Sequence, residues 1–166
     1  MHSPSTAPRP VSPDLFRRAM ASVATPVSVV TTTENGVPRG TTVSAFASLS
    51  MKPPMVLVAL DENSRLLSAM RRTRRFAVNI LGAGQGSLAE AFARKGADKF
   101  AGVDWYEEAG LPYLAGAAGR LACAVEEFLP GGDHVIAAAT VTAADVGEDA
   151  APLTYHRHRF GTHTAA

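Results

Sequence analysis

The chain has 166 residues, 46% of them hydrophobic, a length and composition that suit one domain with a real core. Its 16 basic and 15 acidic side chains leave a formal charge of +1, which argues against a nucleic-acid binder that relies on a broad cationic face. No apolar run approaches the roughly 18 residues of a membrane span and no apolar leader opens the chain, so a cytoplasmic protein with no membrane contact is expected.

The opening "MHSPSTAPRPVSP" carries prolines at 4, 8, 10 and 13 and little apolar content. It reads as a flexible tail over 1–13, with the domain over 14–166. Ser12 and Pro13 form an N-cap and first-turn proline, and Leu15, Phe16, Ala19, Met20 and Val23 make one stripe of a short helix. "PVSVVTTTENGVPRGTTVSAF" is β-branched on both sides of Asn35-Gly36, a hairpin signal because both turn positions need positive φ. Pro53-Pro54 interrupts the ladder, and "MVLVAL" is a continuous apolar run suited to a buried strand.

Ser64 caps a helix over "RLLSAMRRT", "FAVNIL" is a further strand, and Ser87 with Glu90 has the spacing of a capping box before "LAEAFARK". From "GADKF" to "YLAGAAG" the chain reads as loop. "GRLACAVEEFL", the turn "PGGD" and "HVIAAATVTAADV" form a second hairpin, and "PLTYHRHRF" holds a last strand. Strands joined as hairpins dominate, so a mainly β fold is expected: a closed or partly closed antiparallel barrel with short inserted helices. Cys123, the single cysteine, alternates with Leu121 and Val125 and reads as a buried structural thiol.

Several segments could carry chemistry. "GAGQGS" has the spacing G-x-G-x-G without a parallel βαβ series, and reads as a plain turn. "RRTRR" complements a helix C-terminus, or offers one arginine to a phosphate. His156 and His158 would point the same way on a strand with His163 nearby, but no further ligand accompanies them. His134 follows the tight "GGD" turn at a sheet rim and can reach into a barrel mouth. In "GTTVSAFASLS", Thr42, Ser44, Ser48 and Ser50 share a period-2 face with Phe46 between them. That face meets either water or an anion held by hydroxyls and backbone N–H groups.

In this order, "PVSVVTT…NG…GTTVSAFASLSMKPPMVLVAL", "FAVNIL", "DKFAG", "LPYLAGAAGRLACAV", "GGDHVI" and "PLTYH" resemble the short-chain flavin reductases, the reductase partners of two-component flavin monooxygenases. The resemblance runs from about Phe16 to Phe160. It implies a split β-barrel of Greek-key type, usually a homodimer, that binds FMN or FAD and reduces it with NADH or NADPH for a partner monooxygenase or halogenase. It further implies flavin contacts at Thr41, Thr42, Val43, Ser44, Ser48, Leu49 and Ser50, with Ser64 as a further phosphate contact and Phe100 as a flavin neighbour. His134 is implied to lie near the nicotinamide. Two alternatives are a non-enzymatic flavin-binding barrel and a metal site on the three C-terminal histidines.

Overall fold

The computed structural model describes residues 9–96, 98–147 and 150–165. Of the expected tail, residues 1–8 lie outside the described residues. Ser12 caps α1 (Pro13–Ala21), its hydroxyl accepting from Leu15 N at 3.3 Å. The stripe Leu15, Phe16, Met20 and Val23 is not packed on the domain: none of the helix's residues is buried, and these four stay exposed.

The central sheet has seven antiparallel strands: β2 (Ser28–Glu34), β3 (Val37–Val43), β4 (Phe46–Met51), β5 (Pro54–Asp61), β6 (Arg75–Ile80), β9 (Gly119–Gly131) and β10 (His134–Val146). Their order is β3-β2-β6-β9-β10-β5-β4, with the non-sequential neighbours of a Greek key. β3 and β4 are therefore opposite edges, and about 29 Å would separate them in a flat sheet. Only Ser44 and Ala45 join them, a link that spans at most about 11 Å. The sheet must roll until its edges meet, and Ala59 N of β5 donates to Ala45 O at 3.0 Å to fasten the corner. This is the split barrel.

Asn35 and Gly36 take φ 51° and 75°, as the β2–β3 turn requires. The barrel is filled by Val30, Val58, Phe76 and Val78 from the strands and by Leu66, Leu67 and Met70 from α2 (Arg65–Thr73). Each such side chain contributes about 1.5–3 kcal/mol on burial. A second core, with Phe92 of α3 (Gly86–Ala93), Val29, Phe100 and Leu114, lies on the outer side of β2. Cys123 is buried in the first core, and burial pushes its thiol up to about 12, so it stays a protonated, unreactive thiol.

Four expectations change. "MVLVAL" alternates buried and half-buried residues instead of being buried throughout. The region read as loop contains the hairpin β7 (Trp105–Glu108) and β8 (Leu111–Leu114), turned at Ala109 and Gly110 with positive φ. It is tied down by buried polar groups: Asn79 Oδ1 accepts from Leu114 N at 2.8 Å, and Thr31 Oγ1 donates to Pro112 O at 2.6 Å. α3 begins at Gly86 behind Gln85, so Ser87 lies within the first turn and no side chain caps it. "PLTYHRHRF" is a hairpin, β11 (Leu153–His156) and β12 (Arg159–Thr162), in a small sheet with β1 (Thr25–Pro26). His158 sits in its turn with φ 63°, so it does not share a strand face with His156.

No helix among the described residues is long and apolar enough to cross a membrane.

Candidate functional site

The "RRTRR" arginines are occupied structurally. Arg74 donates to the carbonyls of Val125 and Glu126 at 2.9 and 2.8 Å and, with Arg71, lies over the Phe128 ring. Arg72 pairs with Glu34. "GAGQG" is a turn braced by Gln85, which accepts from Gly82 N and donates to Ala115 O, each at 2.9 Å.

A groove of about 830 Å³ lies beside the Ser44–Ala45 corner. One wall is the outer edge of β3 with the Ser44–Ala45 corner; α2 presents its N-terminus, residues 94–96 and 98–100 follow the α3 C-terminus, and His134 stands at the start of β10. Of the expected site residues, Thr41, Thr42, Val43, Ser44, Ser64, Phe100 and His134 line it. Ser48, Leu49 and Ser50 do not. They lie on β4, where the pairing with β5 shifts between Ser48 and Ser50.

The corner at Ser44–Ala45 and this bulge explain why the hydroxyls do not form one row. Thr42 Oγ1 donates to Ala89 O at 2.6 Å, and Thr41 Oγ1 reaches Phe92 O at 3.5 Å. Both threonines thus bond carbonyls of α3, and their hydroxyl protons are directed away from a ligand. Phe46 packs against the barrel core, because the chain turns the corner immediately before it.

Donors remain on the backbone. Gly40 O points out of the sheet, since it accepts from Lys99 Nζ at 3.2 Å. In an antiparallel edge strand every second residue faces the same way, so the Thr42 N–H also faces outward. At α2, Ser64 Oγ accepts from Leu67 N at 3.4 Å. The N–H groups of Arg65 and Leu66 have no partner within the helix, and there the helix dipole favours an anion. Gly40 also sets the wall's shape: a Cβ would lie 2.7 Å from Phe92 Cε1.

The lining carries Arg39, Arg65, Arg94, Lys95 and Lys99 against Asp61 and Asp98. Both carboxylates are engaged with backbone, Asp61 with Asn63 N at 2.7 Å and Asp98 with Phe100 N at 3.0 Å. Among the described residues none of the five cations is in an ion pair, and the lining keeps an excess of positive charge. Burial pushes the Lys99 ammonium below the usual lysine range. None of these five was singled out in the sequence; the only pointer was Lys99 standing beside Phe100 in "DKF".

His134 is half-exposed, with Nδ1 2.8 Å from Asp133 Oδ1. The hydrogen bond from His134 holds the Asp133 carboxyl below the usual range, so Asp133 only accepts and Nδ1 carries the proton. Nε2 is left for a ligand. Phe100 is 6% exposed and packs edge-on against Phe92 and Trp105 at 5.0 and 5.2 Å, so it is first a core residue whose edge reaches the groove.

Comparison with known proteins adds names to this geometry. Residues 20–164 match the model of the flavin reductase like domain. The reductase component of a 4-nitrophenol 4-monooxygenase/4-nitrocatechol 2-monooxygenase from Rhodococcus opacus is 44% identical, over 92% of this chain and 82% of its own. An NADH:riboflavin 5'-phosphate oxidoreductase from Streptomyces pristinaespiralis is 37% identical, over 93% and 90%. Among solved structures, the NADH:FAD oxidoreductase SgcE6 of Streptomyces globisporus in complex with NAD and FAD fragments superposes with a TM-score of 0.87 at 33% identity. That match covers 95% of this chain and 98% of the other. With the split barrel and a match spanning nearly the whole chain, this protein belongs to the flavin reductase like domain family.

Proposed function

We propose that the chain is an NAD(P)H:flavin oxidoreductase that passes a hydride from reduced nicotinamide to FMN or FAD and hands the reduced flavin to a separate monooxygenase or halogenase. The observation that carries the reading is the groove's donor set: an excess of cations, the outward Thr42 N–H and the α2 N-terminus. This set suits a ligand that brings phosphate and a ring edge rich in acceptors. When bound, the flavin accepts at N5 the hydride that leaves nicotinamide C4, two electrons and one proton, so the flavin gains a negative charge and the nicotinamide a positive one.

The chain's own residues bind and orient. Thr42 and the Ser44–Ala45 corner bound the ring with backbone groups, and Ser64 with Arg65 receives phosphate at the α2 N-terminus. His134, its ring fixed by Asp133, positions the nicotinamide. Ser48, Leu49 and Ser50 extend the flavin contact outside the groove along β4. The enzyme works in the cytoplasm.

The test is oxidation of NADH and of NADPH, each with FMN and with FAD. Steady oxidation that requires added flavin supports the reading. Flavin binding without oxidation by either nucleotide leaves a flavin store and rejects the enzyme.

The exposed face of α1, with Leu15, Phe16, Met20 and Val23, is an apolar surface of the kind that two copies cover in an obligate dimer. Light scattering should give the mass of a dimer. Replacing Phe16 and Met20 together by glutamate should shift it toward monomer, and a wild-type monomer would overturn the expectation.

A further inference from the structure

We infer that Lys99 is the positive charge that favours reduced flavin over oxidised flavin in the groove. This rests on the flavin reading above and names the residue through which the protein would act on the ring's charge. Lys99 Nζ donates to Phe92 O at 2.7 Å and to Gly40 O at 3.2 Å. An ammonium has three donors, so one remains for a ligand. Both partners are neutral carbonyls, and among the described residues no carboxylate lies within ion-pair distance of it. Its chain neighbour Asp98 is turned to Phe100 N.

Of the other lining cations, Arg65, Arg94 and Lys95 are exposed and screened by water and salt. Arg39 is half-buried like Lys99, but its charge acts on Glu34, whose carboxyl it helps to hold below the usual range. Lys99 is half-buried, held at the seam between β3 and the end of α3, where its charge is partly stripped of water and acts over a lower local dielectric. Its lowered pKa is the mark of that desolvation. A ligand that acquires negative charge on reduction would supply what the site lacks.

The oxidation states separate this role from two others. A lysine that holds the flavin phosphate, or one that merely pins α3 to Gly40, changes binding of both states alike, because the phosphate and the fold are common to both. A lysine beside the ring changes binding of the reduced form alone, since only there does the ring carry the charge.

The experiment is anaerobic titration of the full-length protein with oxidised FMN and with dithionite-reduced FMN, for the wild type, Lys99→Met, Lys99→Gln and Lys99→Arg, with a melting curve for each. In the two neutral variants reduced FMN should bind at least tenfold more weakly, while oxidised FMN changes less than about threefold. A tenfold difference lowers the potential of the bound two-electron couple by about 30 mV. Lys99→Arg should retain the wild-type ratio of the two affinities. Equal weakening of both states, or an unchanged ratio in a folded neutral variant, overturns the assignment. If the wild type binds neither FMN nor FAD in either state, it is the flavin reading that fails.

Discussion

Phe92→Ala should be among the most damaging single substitutions in the chain, lowering stability by about 3–5 kcal/mol. The Phe92 ring is wholly buried and meets Phe100 edge-on at 5.0 Å and 88°. It also fills the space that Gly40 leaves free, where even a Cβ would lie 2.7 Å from it. Removing it opens a cavity between α3 and β3, and both walls of the groove lose their support. The Phe92 carbonyl accepts from Lys99, so flavin affinity should fall along with stability. Urea unfolding checks the first effect and flavin titration the second. Phe92→Leu, which keeps most of the volume, should cost less than half as much. A Phe92→Ala protein within about 1 kcal/mol of the parent would show that α3 does not brace the groove.

His134→Ala should lower turnover by about 10–100-fold, the scale of losing orientation of one reactant, while flavin affinity stays within about threefold. Only the two-residue turn Gly132–Asp133 separates His134 from the preceding strand, and in the β5 register it sits opposite Asp61, at the end of the groove near the α2 N-terminus. Its Nδ1 is engaged by Asp133, so the ring cannot swing freely. Asp133→Asn should reproduce part of the loss, because an amide no longer dictates which ring nitrogen carries the proton. Steady-state kinetics with saturating flavin separates the two quantities. A His134→Ala enzyme with unchanged kcat but weakened flavin binding would move His134 from the nicotinamide to the flavin.

The barrel was legible in the sequence because its turns use residues with strong local preferences. Asn35-Gly36 and the Gly131–Asp133 stretch declare their hairpins, and Ser12 and Ser64 declare their helices. The hairpins at Ala109-Gly110 and Arg157-His158 were less legible. In them one or both residues at positive φ are neither glycine nor asparagine, and tertiary bonds such as Thr31 to Pro112 hold the first in place.

The site was half legible. Thr42, Ser44, Ser64 and His134 stand at the groove, but periodicity treated Gly40 to Ser50 as one strand. It is two, on opposite edges of one sheet, joined by a corner that only the rolling of the barrel explains. Lys99 escaped notice because its significance lies in which groups surround it. An ammonium held between two carbonyls has no signature along the chain.

The central claim is that flavin occupies the groove between β3, the α2 N-terminus and Lys99. A crystal structure of the protein with bound FMN tests it most directly. The account predicts the isoalloxazine against Thr42 to Ala45, the phosphate at Ser64 and Arg65, and His134 open to a nicotinamide over the ring. Flavin seated wholly along β4 on Ser48 to Ser50, with the groove free of it, would contradict the account.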